Sequence, residues 1–378
     1  MIYFDNAATT QVDIDIGKKM EVFYTENYAN PSSLYDFGYL SEKIIDESRK
    51  KISAFLHCSE DEIIFTPSGT FSNNLAIGGI MSYSSKQGII SSKTEHKSVL
   101  NKVLSYTKAD IKLLSLTKEG IVDLDELESN INANTRLVSI MHVNNETGNI
   151  NDIEKIGSII KEKNPKTIFH VDGIQGFCKI KVDLNKCNID LYSMSGHKIK
   201  APKGIGALYI RKGINLNKII YGGGQEKGLV SGTENVASIF AMGEACKNMS
   251  ENIEKNYSKV FSLRNFLAEE IQKIQGSLIN TNLDKSSPYI LNLSFSGIKS
   301  EILLHYLEKS KIYISTGSAC SKNKRSYVIE AMNINPEFRD GVIRISFSPL
   351  NKMEECIIFT EKLKEAVNDI RKITGGKI

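Results

Sequence analysis

From Asp13 to Gly206, apolar positions switch repeatedly between a helical period and short continuous runs. Residues 39–57 place Leu40, Ile44, Ile45, Ile52, Phe55 and Leu56 near one face, the spacing of an amphipathic helix. Glu62-Ile63-Ile64-Phe65-Thr66 and Gly88-Ile89-Ile90-Ser91-Ser92 read as short buried strands. Further strands are predicted at 110–116, 136–143 and 167–172, and helices at 73–83, 96–106, 124–131 and 153–163. Such alternation predicts βαβ units and a mostly parallel sheet. Helix formers dominate 234–274, with a break near 248–251. Beyond Gly276 the pattern changes to strands at 290–295 and 342–347 and helices at 301–309 and 352–372. The expectation is a large α/β domain over 14–256 and a smaller α+β domain over 257–378, with residues 1–13 packing near the second.

Ligands in open parallel sheets bind beyond the carboxyl ends of the strands. Thr70, Asn145, Asp172 and Lys198 all fall just past predicted strand ends, so one cleft can gather them. Composition narrows the ligand. A formal net charge of +4 on 378 residues gives no case for direct nucleic-acid binding. Met1-Ile2-Tyr3-Phe4 runs into polar Asp5-Asn6 without a signal-peptide core, and no stretch approaches a membrane span. The six cysteines lack CxxC spacing, which disfavours a disulfide framework and a metal site and predicts reduced thiols in the cytoplasm.

The chemistry concentrates at Ser195-Gly196-His197-Lys198, a short polar turn after an apolar run. An amine held near apolar surface loses part of its affinity for the proton and becomes a nucleophile suited to a Schiff base. Asp172 ends the apolar run Thr167-Ile168-Phe169-His170-Val171. A strand-end carboxylate with a downstream lysine is the minimal kit for pyridoxal phosphate, which needs an imine-forming amine and an acid at its ring nitrogen. Ser195 and His197 flank the lysine as phosphate donors, and Thr70 sits in a strand-to-helix turn whose N–H groups favour an anion. Arg344, inside the apolar strand Val342-Ile343-Arg344-Ile345, needs an anionic partner, either a substrate or a structural carboxylate. Cys320 lies in the small polar segment 315–322, close to the cations Lys322, Lys324 and Arg325 that favour a thiolate.

Several segments carry a resemblance in a common order. They are Asp5-Asn6-Ala7-Ala8-Thr9-Thr10, Asn30-Pro31-Ser32-Ser33, Phe65 to Asn74, Thr94-Glu95-His96-Lys97 and Asn144-Asn145-Glu146-Thr147-Gly148. His170-Val171-Asp172, Ser195 to Lys198, Gly222 to Glu226, Ser231-Gly232-Thr233 and Gly317-Ser318-Ala319-Cys320-Ser321 follow. Together they resemble the cysteine desulfurases of the NifS/IscS type, within the class V pyridoxal-phosphate enzymes. The resemblance implies the aspartate-aminotransferase-like fold, type I.

It also implies roles. Lys198 would anchor the cofactor and act as the base at the substrate α-carbon, and Asp172 would hold the ring nitrogen. Gln175 and Asn145 would bond the ring phenolate oxygen, while His96 would stack on the ring and move protons. Thr233 would reach the phosphate of a neighbouring subunit, which implies a homodimer. Arg344 would grip the substrate carboxylate, with Asn30 also at the substrate. Cys320 would take sulfur from L-cysteine as a persulfide, leaving L-alanine, and pass it to an acceptor protein, an iron–sulfur scaffold or a tRNA thiolase. Selenocysteine lyase, class V aminotransferase and a non-catalytic interaction protein are the competing readings.

Three departures stand out. Pro67-Ser68-Gly69-Thr70-Phe71 replaces Ser-Gly-Ala-Thr-Glu, Val230 stands where an arginine is usual, and Ser348-Pro349-Leu350-Asn351 replaces a Gly-Arg-Phe-Thr type of sequence. The chain also stops at Ile378, sooner than members that dock iron–sulfur scaffolds there, which counts against iron–sulfur delivery and leaves tRNA thiolation or another sulfur relay open.

Overall fold

The computed structural model describes residues 1–316 and 326–374. Its strands, in chain order, are β1 (Ile2–Tyr3), β2 (Ile63–Thr66), β3 (Gly88–Ser92), β4 (Asp110–Leu114), β5 (Thr135–Met141) and β6 (Ile168–Asp172). Then follow β7 (Leu191–Ser195), β8 (Gly206–Ile210), β9 (Ser277–Ile279), β10 (Ile290–Phe295), β11 (Ile312–Tyr313) and β12 (Val342–Ser346). Seven of them form one sheet in the order β2-β8-β7-β6-β5-β3-β4. Only β8 runs against its neighbours; the pairs among β3, β4, β5, β6 and β7 are parallel.

Alternation explains why this sheet is covered on both faces. Ile63, Phe65, Ile90, Val138, Phe169, Val171, Tyr192 and Met194 enter one core, lined also by Ile45 and Ile52 of helix Asp36–Leu56 and Met242 of helix Val236–Glu251. The intervening Ile64, Ile89, Leu137, Ile168, Leu191 and Leu208 enter another, under Leu75 and Ile77 of helix Gly69–Ile80 and Val99 of helix Lys97–Leu104. A third core forms around the antiparallel sheet β12-β10-β9, helix Ile253–Gln272, helix Ser300–Lys309 and helix Met353–Thr374. The break between the two long helices falls at Asn252 rather than at 248–251.

β1 pairs in parallel with β11, so the first residues belong to the third core. From there the chain crosses to the large sheet: Ala7 N–H still donates to Ser346 Oγ of β12 at 2.8 Å, whereas Thr10 N–H donates to the His197 carbonyl, just past β7, at 2.9 Å. No helix among the described residues is long and apolar enough to cross a membrane.

Candidate active site

A cavity of about 320 Å³ opens at the carboxyl ends of the parallel strands. It gathers Thr70, His96, Asn145, Asp172, Gln175, Ser195, His197, Lys198 and Arg344. Asp172 and Ser195 are the last residues of β6 and β7, while His96 and Asn145 follow the ends of β3 and β5. The parallel sheet thus places side chains from distant segments at one edge.

Lys198 donates its amine to the carbonyls of Ala7 and Ala8, at 2.6 and 2.7 Å. The crossing N-terminal segment therefore forms the wall against which this amine rests. Opposite in sign is Asp172, fully buried, which accepts from the Ile174 N–H at 3.1 Å and from the Asn73 amide at 2.9 Å. Burial raises its pKa, and His96, the Ile174 and Asn73 hydrogen bonds and Lys198 pull it back. The Asn73 amide also donates to Ser98 Oγ at 2.8 Å, and Ser98 Oγ lies 2.7 Å from His96 Nδ1. His96 caps helix Lys97–Leu104 by accepting the Ser98 N–H on the same nitrogen. This leaves the other face of the ring at the cavity, with burial holding the imidazole neutral. Asn73 was not singled out from sequence, since a mid-helix asparagine carries no pattern and its carboxylate partner is remote along the chain.

Arg344 is 3% exposed, and its guanidinium donates to Asp5 Oδ1 at 2.7 Å and to the Asn145 carbonyl at 2.8 Å. The anionic partner that its position demands is thus Asp5 in this state, and Arg344 still lines the cavity. Beside it, Ser326 Oγ donates to Glu146 Oε2 at 2.5 Å, and Tyr327 Oη donates to the Glu95 carbonyl at 2.6 Å. Glu146 and Tyr327 line the cavity with Arg344, and neither was singled out from sequence.

At the other end, Ser68 caps helix Gly69–Ile80, which presents the first-turn N–H groups of Gly69 and Thr70 towards the cavity. A Cβ on Gly69 would fall 2.4 Å from Ile174 Cδ1, so a larger residue there would have to push the Ile174 side chain aside. Ser195 is buried at the same end. His197 is pushed down to about 3, by burial first and then by Lys198, Lys203 and Lys179, which leaves its imidazole neutral.

Two predicted residues stand apart. Asn30 is exposed, folds its side chain onto the Ser32 N–H at 2.9 Å, and does not line the cavity. Thr233 is also exposed and away from it. Cys320 lies outside the described residues. Phe71 and Val230, which replace charges of the family pattern, both pack against the apolar cluster containing Leu75 and Leu208. The two replacements therefore exchange charge for apolar contact on one surface.

The cavity fits pyridoxal phosphate: an amine at one wall, a buried acid that a ring N–H⁺ would neutralise, and an anion-attracting helix start. Asn145 Oδ1 adds a buried polar atom without a partner among the described residues, as expected where a polar ligand belongs. Fold and site together define a fold-type I pyridoxal-phosphate enzyme. The chain belongs to the class-V aminotransferase family, whose model, "Aminotransferase class-V", matches residues 2–359. It is 39% identical to the cysteine desulfurase IscS of Vibrio vulnificus, over 99% of this chain and 94% of that one. Among solved structures, a NifS-like protein superposes with a TM-score of 0.93 at 36% identity, covering 97% of this chain and 99% of its own. SspA in complex with cysteine gives 0.83 at 32% identity, covering 93% and 100%.

Proposed function

We propose that this protein is a pyridoxal-phosphate-dependent cysteine desulfurase that acts as a homodimer in the cytoplasm and hands sulfur to an acceptor protein. The observation that carries the reading is the convergence of Lys198, Asp172, His96 and Arg344 on one cavity. Likeness to desulfurases over nearly the whole chain supports the choice of reaction. We also take residues 14–256 as the cofactor domain and 257–378, joined by 1–13, as the second.

When bound, the cofactor supplies an electron sink that acidifies the substrate α-carbon and weakens the bond from the β-carbon to sulfur. Lys198 would hold it and would take the substrate α-proton on Nζ. Asp172, its carboxylate fixed by Asn73 and the Ile174 N–H, would keep the ring nitrogen charged. His96 would lie against the ring and move protons, while Gln175 and Asn145 would donate to or accept from the ring oxygen. Thr70, Ser195 and His197 would hold the phosphate, with Thr233 supplied by the partner subunit. Arg344 exchanges Asp5 for the substrate carboxylate. Asn30 would contact the substrate. The Cys320 thiolate attacks the substrate sulfur: a sulfur–sulfur bond forms, the carbon–sulfur bond breaks, and its electron pair stays with the carbon skeleton that becomes alanine.

The experiment is alanine release from L-cysteine in the presence of a thiol reductant, with L-selenocysteine and a keto acid as parallel substrates. Alanine formed with L-cysteine but without any need for a keto acid is the expected result. Turnover only with selenocysteine, or only with a keto acid, would replace desulfuration by lyase or aminotransferase chemistry.

A further inference from the structure

Behind the cavity lies a buried cation that none of the steps above uses. Lys179 is 4% exposed. Among the described residues its amine makes one hydrogen bond, to Gln175 Oε1 at 3.3 Å, and no ion pair. It also sits 5.5 Å from the centre of the Tyr289 ring, within cation–π range. Keeping an ammonium here is costly: burial, with Lys198 and Arg344 adding repulsion, brings its pKa down to about 7. A methionine of similar length would avoid that cost, so the amine has a task.

Gln175 shows what the task is. Its Nε2 donates to the Ala7 carbonyl at 2.9 Å, the same carbonyl that accepts the Lys198 amine. The two ends of a glutamine amide are nearly equal in shape, and only its partners decide which way it points. Here both partners demand the same orientation. Lys179 donates in this contact, which places the oxygen there, and a carbonyl can only accept, so Ala7 requires the nitrogen. One Nε2 hydrogen is engaged by Ala7, which leaves the second for a ligand in the cavity that Gln175 lines.

We propose that Lys179 is a positioning residue: by holding Gln175 Oε1 it makes Gln175 offer an N–H, rather than a carbonyl, to the ring oxygen of the bound cofactor. The inference rests on the reading of this cavity as a pyridoxal-phosphate site. The donor stabilises the deprotonated ring oxygen, so its loss raises the pH at which the bound cofactor gives up its proton.

The test is a double-mutant cycle on the cofactor-loaded protein, read as the pH titration of its visible absorption. Gln175→Leu should raise the midpoint by roughly one pH unit, and Lys179→Met should raise it in the same direction by less, since the Ala7 carbonyl still favours the native orientation. Adding Lys179→Met to Gln175→Leu should then move it little further. Lys179→Arg, which keeps a donor, should restore most of the native midpoint. Equal shifts in both backgrounds would mean that Lys179 acts through space and would overturn the proposal, as would an unmoved midpoint in Lys179→Met. Should Lys179→Met not fold, Lys179→Ser, too short to reach Gln175, carries the same expectation. A wild-type chain with no visible band would overturn the site and the proposal together. The predicted pattern of midpoints in a protein inactive on cysteine would uphold the proposal and sink only the substrate.

Discussion

Arg344 and Asp5 form an ion pair at 2.7 Å inside the cavity wall, joining the middle of β12 to the segment that follows β1. A substrate carboxylate must displace or share Asp5 to reach the guanidinium. Arg344→Lys keeps the charge but loses the planar fork, so kcat/KM for cysteine should fall about 100-fold, mostly through KM. Asp5→Asn should act in opposite directions on two readouts. KM should fall because the competing carboxylate is gone, and stability should fall by about 2 kcal/mol because a buried guanidinium loses its charge partner. An unchanged KM in Asp5→Asn would separate Asp5 from substrate binding.

Glu95 offers a pH test. Its carboxyl is fully buried, with Oε1 accepting from Ser92 Oγ at 2.7 Å and Met141 N–H at 2.9 Å, while Oε2 lacks a partner among the described residues. Burial raises its pKa to about 8, against the Met141 and Ser92 hydrogen bonds and with help from Asp172. A raised acid contributes its full stability below the unfolded value, near 4.3, and loses it as pH climbs through the folded one. Melting of the cofactor-free protein should therefore weaken between about pH 5 and pH 8. Glu95→Gln should flatten that decline and overtake wild type near pH 8; parallel curves would show that Glu95 is not the source.

Asn73→Ala removes the amide that bridges Asp172 and Ser98. The carboxylate loses a donor that favours its charged form, so its pKa should rise further. Cofactor affinity should fall about tenfold, the equivalent of one charge-assisted hydrogen bond, as measured by equilibrium dialysis. Cofactor affinity equal to wild type would leave Asn73 a purely structural residue.

Much of this was legible from the sequence because most elements carry their own period. Helix Ile153–Lys163 lies at its predicted bounds, and β2, β3, β6 and β10 lie within a residue of theirs. Most of the site residues collected by the cavity lie at or just past strand ends, a position that topology converts into proximity, while Arg344 reaches it from the middle of β12. What escaped notice depends on partners far along the chain. β8 is a plain apolar run whose reversed direction is set only by β2 and β7. Asn73, Glu95 and Lys179 are ordinary polar residues until the fold buries them beside Asp172, Met141 and Gln175. Asn30 and Thr233, expected at the site, stay outside the cavity of a single chain.

That last point has its own test. If Thr233 completes the phosphate site of a partner, dilution into monomers should release the cofactor. Sedimentation and absorbance followed over the same concentration range should give coincident transitions, and Thr233→Ala should weaken retention in the dimer by about 1 kcal/mol. Retention of the cofactor by the monomer would remove Thr233 from the site.

Lys198→Ala should abolish the visible band, and Cys320→Ala should keep it while ending sulfur transfer. A Cys320→Ala protein that transfers sulfur at the native rate would move the persulfide to another thiol.

Ile2 pairs with Ile312, and Asn6 reaches the carbonyl of Ser346 at 3.0 Å, so the first six residues find partners near the far end of the chain, whereas Ala7 and Thr10 meet Gln175 and His197. A ribosome emits these residues first and their partners among the last, and domains tend to fold as they emerge. The large sheet can form during synthesis, yet the strand pairing that anchors the start of the segment carrying the Ala7 and Ala8 carbonyls is complete only when translation is nearly finished. The wall behind the Lys198 amine is therefore fully fastened at the end of the protein's birth rather than in its course.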